Sequence, residues 1–230
     1  MSDPKPLADP AENKEFLRLD PETTSNDKSN TKSFRQLLGI TPSTASTSDS
    51  ALIIIDAQKE YLSGPLALTG VQDAINNIVK LVAAARAAKS PIIHVRHLGT
   101  VGGMFDPQGE RGQFVPELQP QGDEIIIEKR LPNALNGTVS TDDRTTLHSL
   151  LESRGRLDLV VCGFMSHSSV STTVRAAKDY GFRCTLVEDA CATRDLPTPS
   201  GVIKAELVQQ AEMAIMNDNF AKLALTKDLI

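Results

Sequence analysis

Five short apolar runs, ALIII (51–55), PIIHV (91–95), EIIIE (124–128), LDLVVC (157–162) and RCTLV (183–187), constrain this chain more than any other feature. They are rich in large aliphatic side chains and show little polar alternation, the pattern of strands buried on both faces. Segments with apolar residues at three- and four-residue spacing separate them. VQDAINNIVKLVAAARAAK places Val71, Ile75, Ile78, Val82 and Ala85 on one helical stripe, and Leu147, Leu150 and Leu151 predict a helix around 143–153. Further helices are expected near 168–180 and over 201–216, with a last short strand near 221–225. Apolar strands alternating with amphipathic helices indicate a parallel sheet covered on both sides, wound by right-handed crossovers into three αβα layers. The expectation is a doubly wound, Rossmann-like, mostly parallel six-stranded sheet over residues 50–230. Its ligand site would lie outside the carboxyl ends of the strands.

Residues 1–49 do not join this pattern. They are rich in Asp, Glu, Lys, Asn, Ser and Pro, too poor in apolar surface to offset their ordering entropy, and are expected to form a flexible polar arm. Within it SFRQLLGI (33–40) predicts a short helix with Phe34, Leu37 and Leu38 on one side, and TPSTASTSDS reads as a linker. A net charge of −5 with no basic stripe gives no general attraction to nucleic acid or anionic lipid. No apolar run approaches a membrane span and no signal-peptide core opens the chain, so the default expectation is a cytoplasmic protein. Cys162, Cys184 and Cys191 show no paired spacing and are expected to be buried, reduced thiols.

Three strand ends carry chemistry. The first apolar run stops at Asp56, the third at Lys129, and the fourth passes through Gly163 into a 164–169 turn bearing Ser168 and Ser169. Singly, Asp56 could cap a turn, Lys129 could be a solvated strand end, and either serine could be a helix N-cap. Together an acid, a base and a hydroxyl fall at one sheet edge. His94 and His97 form an H-x-x-H pair, but on a strand an offset of three sends them to opposite faces, so no metal is expected. GTVGG (99–103) lies in an extended loop, and GFMSHS lacks the spacing of a phosphate loop, so no cofactor is expected either.

These residues carry a resemblance. IIIDAQKEYL, with Asp56 and Gln58, resembles the D-x-Q opening of the isochorismatase-like cysteine hydrolases. VPELQPQGDEIIIEKRLPNALNGT resembles their P-E-L segment, lysine strand and following loop. VVCGFMSHSSVSTTVRAAKDYGF resembles their nucleophile turn, G-x-x-x-H/D-x-C-V-x-x-T followed by A-x-D-x-G. The likeness spans about residues 51–225. It implies an Asp–Lys–Cys triad carried here by Asp56, Lys129 and position 169, and a cis peptide between Phe164 and Met165. It also implies an oxyanion hole from the Met165 and Ser169 backbone amides, with Gln58, His167 and Leu135 as pocket residues. A small-molecule substrate, no cofactor and a homo-oligomer, dimer or tetramer, complete the expectation. Two departures stand out: Ser169 where amide-cleaving members have Cys, and Leu135 where many have an aromatic residue.

The serine decides between chemistries. A cysteine thiolate is favoured by a nearby ammonium and a helix N-terminus, whereas serine must lose its proton to an aligned base as it attacks. His167 lies two residues away and would be an unusual base at its position in the family; Asp56 is the other candidate. Three accounts follow from the resemblance. In the first, the chain hydrolyses a vinyl ether such as isochorismate, with Asp56 protonating the enolpyruvyl carbon and water attacking the cation. In the second, it is an amide or imide hydrolase whose cysteine Ser169 replaces, an inactivated variant. In the third, it is a non-catalytic binding protein. Arg96 and Arg111 are available to clamp substrate carboxylates.

Overall fold

A computed structural model of the chain describes residues 31–46, 50–155 and 157–230. The chain divides into two compact units, Met1–Ser43 and Thr44–Ile230. In the first, the helix α1 (Phe34–Leu37) is shorter than the sequence predicts, and Ser33 opens it with a capping box. The Ser33 hydroxyl accepts the Gln36 N–H at 3.3 Å, while Gln36 Oε1 accepts the Ser33 N–H at 2.8 Å. The expected flexibility of residues 1–30 lies outside the described residues.

The second unit begins earlier than position 50, because Ala45 is buried and its N–H donates to Thr185 Oγ1 at 2.9 Å. Its strands are β1 (Ala51–Ile55), β2 (Ile92–His97), β3 (Ile125–Lys129), β4 (Thr138–Val139), β5 (Asp142–Thr146), β6 (Asp158–Phe164), β7 (Arg183–Ala192), β8 (Leu196–Thr198), β9 (Gly201–Ile203) and β10 (Ala221–Ala224). The helices are α2 (Val71–Ala87), α3 (Leu147–Ser153), α4 (Ser171–Asp179) and α5 (Ala205–Ile215). The main sheet runs β10-β7-β6-β1-β2-β3-β4-β5. Pairing is parallel from β10 to β3 and antiparallel from β3 to β5. The six expected parallel strands are therefore present, and the sheet has eight strands rather than six. The additional pair is polar and short, with no apolar run to announce it. Its formation also moves the start of the predicted 143–153 helix to Leu147, where Thr146 Oγ1 accepts the Ser149 N–H at 3.1 Å.

Strand parity divides the core. Leu52 and Ile54 pack with Ile75, Ile78, Leu81 and Val82 of α2, while Ala51, Ile53 and Ile55 pack with Leu147, Val174 and Met213 of α3, α4 and α5. β1 is buried along its whole length, which is why its sequence shows no alternation. The predicted 201–216 helix is likewise shortened at its start: β8 and β9 form an antiparallel hairpin first. Asp195 Oδ1 then receives the Ala205 N–H at 2.9 Å, capping α5 from ten residues upstream. Cys162, Cys184 and Cys191 are buried free thiols, as their apolar surroundings predict. Burial pushes the Cys184 and Cys191 thiols up to about 12.

Candidate active site

β1 ends in a residue with left-handed backbone. Asp56 has φ 49°, a region aspartate tolerates better than branched residues, and its N–H is held by the Val95 carbonyl at 3.0 Å. This turn directs a buried carboxylate over the carboxyl edge of the sheet. Lys129, the last residue of β3, pairs in register with His97 at the end of β2. β6 leaves the sheet through Gly163, at φ 116°, where a Cβ would stand 2.1 Å from the Ile55 carbonyl oxygen. Only glycine lets β6 and β1 approach so closely while the chain turns. The Phe164–Met165 peptide is cis, as the resemblance implies, and a π-helical turn, Ser166–Val170, then leads into α4.

These elements bring three of the expected side chains together. Lys129 Nζ donates to Asp56 Oδ2 at 2.7 Å and to Ser169 Oγ at 3.1 Å, and all three residues are buried. Asp56 Oδ1 is buried, with no hydrogen-bond partner among the described residues. In the turn, the Ser168 and Val170 N–H groups both donate to the Met165 carbonyl, at 3.0 and 3.3 Å. Thr173 Oγ1 donates to the Ser169 carbonyl at 2.7 Å and accepts the Ala134 N–H at 3.0 Å, tying the 134–136 loop to the same turn.

The remaining expected residues fall elsewhere. His167 Nδ1 lies 2.6 Å from Thr193 Oγ1, with burial and Arg194 holding its imidazole below the ordinary range. Gln58 spends its amide on backbone: Nε2 donates to the His97 and Gly112 carbonyls at 3.0 and 2.7 Å, and Oε1 accepts the His97 N–H at 2.8 Å. Leu135 is enclosed in the core with Ile127 and Leu147. Neither arginine considered for carboxylate clamping is uncommitted. Arg96 bonds Glu128 on the neighbouring strand, and Arg111 Nη2 lies 2.8 Å from the fully buried Glu60.

Around this cluster stand His97, which the sequence singled out only as half of an H-x-x-H pair, and Phe105 and Tyr61, which sequence reasoning missed. His97 Nδ1 stands 3.4 Å from Lys129 Nζ, and the His97 ring meets Phe105 edge-on at 4.9 Å. Tyr61 packs edge-on against Phe105 and Phe164, with ring centroids 5.3 and 5.7 Å away. Burial, then the Asp56 and Glu60 carboxylates, push its phenol well above the usual tyrosine range. Glu60 Oε2 also accepts the Phe105 N–H at 2.9 Å, so the 99–118 loop is pinned across residues 57–61. The parallel register that sets His97 beside Lys129 was the usable signal; Phe105 sits in a Gly/Pro-rich loop that carries none. A cavity of about 330 Å³, lined by Leu98, Lys129, Arg130, Asn133, Asn136 and Thr138, flanks the cluster. Among the described residues no group of three or more His, Cys, Asp or Glu is arranged to hold a metal ion, and His94 and His97 meet different partners.

A doubly wound sheet with a buried acid, ammonium and hydroxyl at its carboxyl edge places proton-transfer groups where such folds hold their ligands. A profile of the Isochorismatase domain matches residues 50–228, and the chain belongs to the isochorismatase family of hydrolases. Its fold is similar to that of an isochorismatase from Pseudomonas putida KT2440, with a TM-score of 0.82 and 59% identity over 87% of this chain and 100% of that one. The secreted isochorismatase effector Isc1 of Verticillium dahliae is 38% identical over 86% of this chain and 98% of its own length. More distant relatives include a streptothricin hydrolase of Streptomyces noursei, 29% identical over 64% of this chain and 51% of that protein. The ureidoacrylate amidohydrolase RutB of Variovorax paradoxus is 27% identical over 62% of this chain and 68% of its own length. Among the described residues no helix is long and apolar enough to cross a membrane.

Proposed function

We propose that the chain hydrolyses a small metabolite by proton transfer through Asp56, with Ser169 as a hydrogen-bonding group rather than a nucleophile. The observation that carries this reading is the division of labour in the Asp56 carboxylate: Oδ2 is tied to Lys129, and Oδ1 is buried and unpartnered. A buried acceptor without a partner costs about 1–3 kcal/mol, and such a group is poised to exchange a proton with a bound guest. Ser169 Oγ instead accepts a hydrogen bond from Lys129, and the nearby imidazole of His167 is turned to Thr193. Among the described residues no carboxylate or imidazole is hydrogen-bonded to Ser169 Oγ to take its proton during attack.

For an enolpyruvyl ether such as isochorismate, protonated Asp56 delivers its proton to the terminal vinyl carbon. Water adds to the resulting oxocarbenium carbon and returns a proton to the carboxylate, and the hemiketal then collapses to an alcohol and a 2-oxo acid. Lys129 holds Asp56 in position and balances its charge when ionised. A second reading has one specific support. One relative is named an amidohydrolase, and the family resemblance casts the Met165 and Ser169 N–H groups as oxyanion-hole donors. In that reading Ser169 stands where a cysteine would act on a C–N bond.

Steady-state kinetics with isochorismate, and with simple amides and imides, separate the two. Ser169→Ala should keep isochorismate turnover within about tenfold, under 1.4 kcal/mol. Loss of turnover by about a thousandfold or more in Ser169→Ala would sink the vinyl-ether reading. Ser169→Cys should hydrolyse an amide or imide only under the second reading. A chain inactive on all of these in both forms would favour the third account, a non-catalytic binding protein.

A further inference from the structure

Lys129 has three N–H donors and no acceptor, and three acceptors surround its ammonium. Asp56 Oδ2 lies at 2.7 Å, Ser169 Oγ at 3.1 Å and His97 Nδ1 at 3.4 Å. Two of these belong to the cluster already described, and the third has had no role. His97 is held with unusual care for a residue at a strand end. Its ring meets Phe105 edge-on, and Gln58 grips its backbone on both sides, accepting its N–H at 2.8 Å and donating to its carbonyl at 3.0 Å.

We infer that His97 is a positioning residue of this site: locked by Gln58 and Phe105, its unprotonated Nδ1 is the third acceptor of the Lys129 ammonium and fixes how that ammonium faces Asp56 and Ser169. The D-x-Q segment then has a mechanical explanation. Asp56 supplies the acid, and Gln58, two residues on, sets the histidine that orients the acid's partner. The inference rests on Asp56, Lys129 and Ser169 being the working cluster.

Donor counting assigns the tautomer. An ammonium only donates, so Nδ1 must carry a lone pair and the ring proton must sit on Nε2. The charged groups facing the ring are Lys129, Arg130 and Asp56. Burial, followed by Lys129, holds the imidazole below its ordinary range against the pull of Asp56, with Arg130 adding to the effect. The acceptor is therefore present at neutral pH and is lost as pH falls through that depressed value. A protonated His97 would set a second cation against Lys129 and turn the ammonium away from its partners.

The test uses the full chain labelled with ¹⁵N in its histidine rings, with His97 identified by the signal lost in His97→Asn. The expected spectrum at pH 7 has His97 protonated at Nε2 and bare at Nδ1, and Lys129→Met should raise its titration midpoint. An Nδ1–H tautomer, an imidazolium at pH 7, or a midpoint unmoved by Lys129→Met would overturn the inference. If Lys129→Met does not fold, the tautomer in the unaltered chain still decides.

Kinetics on isochorismate add a second readout. His97→Asn offers an amide oxygen in place of Nδ1 and should stay within about threefold in kcat, with a flattened acid limb. His97→Phe keeps the ring against Phe105 but offers no acceptor, and should lose about 10- to 100-fold in kcat with KM little changed. Equal kcat in the two variants would also overturn it. The spectroscopic readout requires no turnover, so a chain inactive on every substrate would defeat the hydrolase reading without touching the His97 assignment.

Discussion

Two acid–base clusters, one part-buried and one buried, lie toward opposite ends of the same strands, and their carboxylates differ in one respect. Before β3, Glu124 is surrounded. Its Oε1 accepts Arg86 Nε at 2.7 Å, and its Oε2 meets Arg86 Nη2 at 3.1 Å, His94 Nε2 at 2.9 Å and the Gln121 N–H at 2.9 Å. Burial would raise that carboxyl, but Arg86, the Gln121 amide and His94 together hold it below the usual range. At the other end of the strands Asp56 has an ammonium and a histidine nearby too, yet one of its oxygens is left without a partner. An acid, a base and an imidazole in company are thus not enough to mark a reactive site; what separates the two carboxylates is the oxygen left over at Asp56, although His94 Nδ1 beside Glu124 is also buried without a hydrogen-bond partner among the described residues. Cavity size would mislead, since about 700 Å³ of open space lies beside Arg86, Ser90 and Glu124, away from Asp56.

The comparison can be broken most forcefully by neutralising each acid in turn. Asp56→Asn should lower isochorismate turnover by about a thousandfold or more, and Glu124→Gln should leave kcat within about twofold. Similar losses from both would erase the distinction. Glu124→Gln should instead act on stability, costing about 1–3 kcal/mol in urea unfolding, with the lower end favoured because the Arg86 side chain is 34% exposed.

A smaller effect should appear in the pH dependence of melting. Burial, more than any other cause, holds His94 below 6.5 despite the Glu124 carboxylate, and His97 and His167 are depressed as well. The unfolded chain therefore binds protons first as pH falls below 6.5, so stability is full above that value and declines beneath it. Melting temperature should drop between about pH 7.5 and 5.5, and His94→Gln should flatten part of that slope. An unchanged slope would remove His94 from the account. The least conspicuous expectation concerns thiols. Cys162, Cys184 and Cys191 are buried and their thiols are shifted upward, so iodoacetamide should leave the native chain unlabelled and its turnover unchanged. Ser169→Cys should acquire one reactive thiol beside Lys129; labelling of the unaltered native chain would contradict the burial.

Much of this was legible before any coordinates. The runs at 51–55 and 157–162 read as strands buried on both faces, although Leu157 proves exposed and the second strand starts at Asp158, and the chain order of strands and helices implied where they would end. Asp56 and Lys129 were accessible for that reason, each closing an apolar run, whereas Ser169 was distinguished from Ser168 only by the resemblance of its turn to the family's nucleophile motif. The polar strands β4 and β5 were not, because Thr138–Val139 and Asp142–Thr146 gain their pairing from an existing sheet edge and from no pattern of their own. Gln58 and the two arginines show another limit. Their residue types suggested contact with a substrate, but a buried amide or guanidinium goes to whichever carbonyl or carboxylate the fold brings near.

By itself the sequence determined the class of fold and the edge of the sheet at which Asp56, Lys129 and the 164–169 turn would meet, because those follow from periodicity and chain order; Ser169, rather than Ser168, was singled out by the family resemblance. Only the tertiary structure decided which polar atoms are consumed and which are left over. That division depends on distances of a few tenths of an ångström between groups 73 and 40 residues apart, Lys129 with Asp56 and with Ser169, and hydrogen bonding has no signature in a linear string until the backbone closes around it.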